Sequence, residues 1–450
     1  MSGSSPISVV AAPSRRRRIL TLGLPIIGGM VSQNVLNLVD AYMVGHLGDA
    51  ALAAVGAGGF LNFVTTAFIL GLSAGVQAMS ARRVGEGRVS ETAVPLNGGL
   101  LLALGLAVPW SILLSSHASA LYAVVTEDPE VVAVGVPYLR WRLVAMAPMA
   151  MNFAFRGFWN ATDRSTYYMG TLVVMHTSNI VLNAVFIFGL LGAPALGAEG
   201  AGLSSAISTF IGLGTYVALA LRHTRPEGFL RGLPDRDTMR TMVRVSVPAG
   251  TQQFFFAAGL TAFVAIVGRM GTREQAATHI LTQLLLVGVL PGLGFGMAAA
   301  SLVGQALGRR DPEDARRWGW EVTRLAMVAV LLVSTPAIFF PGAVAGAFLQ
   351  EPQTLALAAA PLRLIGCSLF LDTIGSVLMN SLVGAGDTRR VMLVSIAFQW
   401  GLFLPAAYLI GPVLGYGLLA VFAAQVGYRL LQSAAFATLW QRGAWQHIKL

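Results

Sequence analysis

The chain has 450 residues, of which 55% are hydrophobic and 11% charged, whereas soluble proteins carry about 25% charged residues. That composition excludes a soluble globular domain and points to a polytopic membrane protein. The formal charge of +10 gathers in alternate loops, as a membrane topology requires, so it gives no reason to expect a nucleic-acid partner.

Twelve apolar stretches, each of about 20 residues and so able to cross a bilayer as a helix, start near residues 19, 51, 95, 132, 166, 198, 240, 275, 318, 356, 390 and 414. Apolar residues do not alternate with polar ones in ten-residue units, which excludes a β-barrel. The expected fold is therefore all-α, with twelve transmembrane helices. Basic residues fall on one side of this arrangement: "RRRR" at 15–18, "ARRVGEGR" at 81–88, the 156–164 turn, the 222–244 segment, "GRRDPEDARR" at 308–317 and "DTRR" at 387–390. The opposite loops hold mainly acids, with Arg269 and Arg273 as exceptions. The positive-inside rule then makes both termini cytoplasmic and the chain a multi-pass plasma (inner) membrane protein.

Residues 1–18 read as a cytoplasmic tail. Their "SRRRRIL" mimics a twin-arginine export signal, but the next segment carries Gln33, Asn34, Asn37 and Asp40 and shows no small-residue cleavage site, so it reads as a retained first span. Gln33, Asn37 and Asp40 stand at i, i+4 and i+7, on one helix face. A rise of about 1.5 Å per residue from Arg18 sets Asp40 in the half of the membrane away from the arginines. An ionised Asp in a span costs about 2.5–3.5 kcal/mol on insertion scales, and such residues usually line ion or substrate paths. On the second span Asn62, Thr66, Ser73 and Gln77 share a face, and on the fifth Asn179 and Asn183 form an i, i+4 pair whose oxygens could bond Asp40 or ligate a small cation. The fifth span also holds His176, which reads as a structurally bonded histidine.

Residues 19–221 make a first six-helix lobe, 222–240 a charged cytoplasmic linker, 241–440 a second lobe and 441–450 a cytoplasmic tail. In the second lobe Gln252, Gln253, His279 and Gln283 supply neutral polar groups around one deep acid, Asp372. "GLSAG" at 71–75 and "GLGFG" at 292–296 match nucleophile-elbow and phosphate-loop expressions, but both sit inside membrane helices without the strand-to-helix context that chemistry needs. Close helix packing through small residues accounts for them. The one cysteine, Cys367, excludes an intrachain disulfide. No paired-cysteine or H-E-x-x-H motif occurs, so neither an enzyme nor a metal centre is expected.

The halves repeat. "LPIIGGMVSQNVLNLVDAYMVGHLGDAALAAVGA" from Leu24 lies without a gap over "VPAGTQQFFFAAGLTAFVAIVGRMGTREQAATHI" from Val247. Pro25 meets Pro248 and Gly48 meets Gly271, and the register continues to Gly71 over Gly294 and Gly85 over Gly308. Six spans per repeat give both lobes one orientation, related by a pseudo-twofold axis along the membrane normal. A midplane site between such lobes is a transporter design.

The first-span segment, its echo at 247, "FIFGLLGAPALGAEGAG" at 186–202 and "GAGDTR" at 384–389 resemble the multidrug and toxic compound extrusion (MATE) transporters over residues 19–440. The resemblance implies twelve helices in two lobes expelling organic cations and other drugs in exchange for protons or sodium ions. The expected partners are the lipid bilayer and small cationic or amphipathic molecules, with no cofactor beyond the coupling ion, H+ or Na+, and the expected functional unit is a monomer. The resemblance further implies that Asp40 is the first-lobe coupling carboxylate, that Asn179 and Asn183 are the fifth-helix polar pair and that Asp372 is the tenth-helix acid. Helical phase adds Asn37 to the expected ion-coupling group, and the polar faces make Gln33, Asn62, Gln252, Gln253, His279, Gln283 and Asp372 the expected lining of the substrate cavity. The sequence departs from the NorM-like pattern at Phe256, where those members carry a glutamate. That favours a DinF-like arrangement with exchange in the first lobe. A lipid-linked flippase of the same superfamily is the alternative; Arg140, Arg142 and Arg363 offer it some charge, while the deep groups read as acidic.

Overall fold

The computed structural model describes residues 14–349 and 351–450; the tail up to residue 13 lies outside the described residues. Within a bilayer every backbone N–H and C=O must be bonded internally, and the chain meets this with helices almost throughout. The first lobe comprises α1 (Arg15–Gly45), α2 (Asp49–Gly85), α3 (Val89–Ser116), α4 (Pro129–Val144), α5 (Met146–Ala161), α6 (Ser165–Phe188) and α7 (Ala198–His223). The second comprises α8 (Arg236–Gly268), α9 (Thr272–Gly308), α10 (Pro312–Phe339), α11 (Pro352–Ala385), α12 (Thr388–Val413) and α13 (Gly417–Arg442).

Ten of these helices are long and apolar enough to cross a membrane. The remaining two expected spans are less apolar or less regular. α4 and α5 form one segment interrupted at Ala145, and α13 carries Gln425, Arg429 and Gln432 in its middle. Both pack among the apolar helices: α4 on α7 and α2, α5 on α2, and α13 on α11.

Three boundaries differ from the sequence reading. Arg15–Arg18 are the first turn of α1, capped by Ser14, whose Oγ accepts from the Arg17 N–H at 3.4 Å. The linker is shorter than residues 222–240, because α7 runs to His223 and Asp235 caps α8 by accepting from the Thr238 N–H at 3.2 Å. The last residues are packed rather than loose: Trp445 is fully buried, stacked on Trp440 with ring centroids 3.9 Å apart.

The lobes meet through α1 and α2 of one half and α8 and α9 of the other, and the contacts obey the repeat. Gly71 touches the backbone of Gly250, and their repeat mates Gly294 and Ile27 touch in return. Gly85 and Gly308, mates of each other, cross so closely that a Cβ on either would stand 2.8 Å from the other's Cα. That crossing marks the pseudo-twofold axis, and only glycine allows it.

All hydrogen bonds between the lobes, among the described residues, lie in the half that carries the termini. Gln77 donates to the Met297 carbonyl at 2.7 Å and to Ser301 Oγ at 2.9 Å. Gln305 donates to the Ala161 carbonyl and to Asp163, each at 2.9 Å. At the arginine-rich end Arg15 pairs with Asp314 at 2.5 Å and Glu321 at 2.7 Å while its guanidinium lies 3.8 Å over the Trp318 ring. Arg82 donates to the Ile448 carbonyl at 3.1 Å, and Arg83 to Thr238 Oγ1 at 2.9 Å. No hydrogen bond or ion pair joins the lobes in the other half among those residues, so the polar contacts that hold the lobes together lie at the basic end.

Candidate ion and substrate sites

Asp40 sits five residues before the end of α1 at Gly45, facing α6. Its Oδ1 accepts from Asn183 Nδ2 at 2.6 Å. The amide end of Asn179, one turn earlier on α6, stands 3.0 Å from the same oxygen. With its nitrogen turned toward Asp40, Asn179 donates to the carboxylate while its oxygen accepts from the Ser205 backbone N–H at 3.2 Å and the Ser205 hydroxyl at 3.3 Å. With its oxygen turned that way, Asn179 instead donates to Ser205 Oγ at 3.3 Å and Ser208 Oγ at 3.4 Å, and accepts from Asn183 at 3.1 Å. Both asparagines are essentially fully buried, and Asn183 Oδ1 has no donor.

Arg142 and Tyr138 on α4 are near enough to act on Asp40 electrostatically. Neither forms an ion pair or hydrogen bond with it among the described residues. The carboxylate's bonded partners are thus neutral amides, which leave room for an added positive charge.

Not all of the expected first-lobe residues join this cluster. Asn37 is exposed and accepts from Gln33 Nε2 at 3.2 Å, away from Asp40. Gln33 Oε1 in turn meets His176 Nε2 at 3.2 Å, so the polar stripe of α1 continues as a Gln33–Asn37–His176 network. Asn62 is buried on α2 with its Oδ1 unpartnered and its carbonyl taken by Thr66 at 2.5 Å; it bonds neither Asp40 nor the second lobe.

The second lobe holds a cavity of about 200 Å³ between α8, α9, α11, α12 and α13. Gln252, Gln253 and Asp372 line it, together with Gln399, Gln425 and Phe256. His279 and Gln283 do not line it: they are exposed, beside the α9 stripe of Thr282, Leu286 and Val289 that faces inward. Inside the cavity Arg429 donates to Asp372 Oδ2 at 2.5 Å. This corrects the reading that the deep groups are acidic. Arg429 lies mid-way along an apolar segment, so the same cost argument that singled out Asp40 applies to it.

α12 is wound as a π-helix over Ala397–Phe403. There Gln399 donates to the Phe256 carbonyl at 3.3 Å and Trp400 to the neighbouring Phe255 carbonyl at 3.0 Å. Gly259 makes room for this, since a Cβ there would collide with the Gln399 amide.

The MatE family model matches this chain twice, over residues 25–185 and 248–409, one copy per lobe. A "Probable multidrug resistance protein NorM" from Mesorhizobium japonicum is 26% identical over 95% of this chain and 93% of its own length. Another of that name from Bradyrhizobium diazoefficiens is 29% identical over 90% and 88%. Among solved structures, an outward-facing MATE family multidrug resistance transporter of the MOP superfamily superposes with a TM-score of 0.86 at 22% identity, covering 95% of each chain.

Proposed function

The chain belongs to the MatE family of multi-pass membrane transporters, and on that premise we propose that it is a secondary multidrug exporter driven by ion exchange at Asp40. The observation that carries this reading is the Asp40–Asn183 bond at 2.6 Å beside Asn179. A half-buried carboxylate held only by neutral amides, one of which can turn, can accept a cation and release it again. If Asp40 is ionised, Asn179 presents its N–H; if Asp40 takes a proton, its O–H donates to the Asn179 oxygen and the amide nitrogen turns to Ser205 and Ser208. A sodium ion would use the same carboxylate with the unpartnered Asn183 oxygen.

Substrate is an organic cation or amphipathic compound, as the NorM names suggest, bound in the cleft and the second-lobe cavity. The cleft alternates between the two sides of the plasma membrane as a monomer, both termini cytoplasmic. With cytoplasmic termini, the polar contacts gathered at the basic end support an outward-facing reading of this state. The relatives carry the NorM name, whereas Phe256 and the first-lobe cluster favour exchange of the DinF-like kind.

The test is uptake of a fluorescent organic cation into proteoliposomes under an imposed proton gradient and then a sodium gradient. Movement driven by one gradient identifies the coupling ion. No response to either, with redistribution of a labelled lipid between leaflets, would support the flippase instead.

A further inference from the structure

The two lobes treat their carboxylates differently. In the first, no ion pair includes Asp40 among the described residues, and its bonded partners are neutral amides. In the gap-free repeat register Asp40's position is held in the second lobe by Phe263, whose ring packs 5.2 Å from that of Phe403. The second lobe's acid comes from another helix, and it already has a cation. Asp372 is 6% exposed and takes Arg429 Nη2 at 2.5 Å, with Ser433 Oγ at 3.5 Å on its other oxygen. Among the residues lining that cavity, from all five helices, these two are the only charged groups, and Tyr428 is the only other titratable one.

We propose that Arg429 is a tethered counter-ion that keeps the second lobe's carboxylate permanently occupied, so that the coupling ion is taken at Asp40 alone and one ion crosses per transport cycle. The inference rests on the reading of Asp40 as the exchange site and adds the reason why Asp372 is not a second one. A guanidinium on the facing helix is always charged and offers several donors. Being tethered, it competes with free monovalent ions at a high effective concentration. The remaining polar groups of the cavity are neutral, and Ser395 Oγ and Gln425 Oε1 are buried without partners. The cavity thus meets a ligand by hydrogen bonds and aromatic contacts, with its net charge already balanced.

The experiment measures the ion-to-substrate ratio in proteoliposomes, from the substrate gradient that just balances an imposed ion gradient. It compares wild type, Arg429→Met and the double variant Asp372→Asn/Arg429→Met. The double variant removes both charges together, so no bare charge is left to unfold the lobe. The expected ratios are one for wild type, one for the double variant whatever its rate, and a rise above one for Arg429→Met, whose bared Asp372 gains access to ions. A wild-type ratio of two overturns the proposal, as does a double variant that still binds the organic cation and carries it down its own gradient but no longer responds to the ion gradient. If Arg429→Met fails to insert, the double variant still decides. Ion-independent uptake by the wild type would count instead against the Asp40 reading itself.

Discussion

Asp40 and Arg429 are both deep, charged and held at hydrogen-bond distance, yet only one is held by a charge of opposite sign. A hydrogen bond to a charged group contributes about 1.5–3 kcal/mol. Asn183→Ala should therefore slow ion-driven uptake at least about tenfold while leaving the helical content unchanged by circular dichroism. Asn179→Leu should do the same by removing both amide orientations. A variant that transports normally would show the amides to be packing alone. The carboxylate and its asparagines were legible in the sequence because a polar residue in a membrane span is costly and therefore conspicuous. Asn37 was misread because helical phase says which residues share a face, not which neighbouring helix that face meets. Arg429 carried the same signal as Asp40 and was overlooked among the polar residues of the last span. Ser205 and Ser208 had no such signal, since serines are common in membrane helices.

At the scale of single helices, the π-turn of α12 and the glycine opposite it act together. Gly259→Ala should push the Gln399 amide off the Phe256 carbonyl and cost about 1–3 kcal/mol, the usual penalty for an overfilled core. A thermal melt in detergent would read this as a lowered midpoint. Gly401→Ala, where a Cβ meets open space, should shift the midpoint much less. Equal effects would mean that helix propensity, rather than this contact, sets the change. Apolar length told where α1, α6 or α8 cross, since a bilayer demands about 20 such residues. It could not reveal the π-winding over Ala397–Phe403 or the break at Ala145, because both are set by tertiary contacts. Nor could it foresee that α2 and α9 run well past their apolar cores to Gly85 and Gly308, where the lobes cross.

For the whole molecule, the repeat proved the most informative part of the sequence. Pairs such as Gly71 with Gly294 and Gly85 with Gly308 align by sequence and then serve as matched contacts across the lobe interface. What closes the basic end was hidden: Arg15, read as part of a tail, bridges to Asp314 and Glu321 on the opposite lobe. These pairs are partly exposed, so the bridge contributes only about 1 kcal/mol. Arg15→Ala should shift the balance toward a form open at that end by roughly fivefold, read as a change in the distance distribution between spin labels on the first turns of α1 and α10. An unchanged distribution would assign closure to the glycine crossing instead.

A single carboxylate, Asp40, is proposed to couple ion movement to export. The direct measurement is gradient-driven uptake of an organic cation by proteoliposomes holding wild type, Asp40→Asn or Asp40→Glu. Ion-driven uptake is expected for the wild type, at least partial retention in Asp40→Glu, and none in Asp40→Asn, whose substrate binding in detergent persists. Full coupled transport by Asp40→Asn would contradict this coupling role.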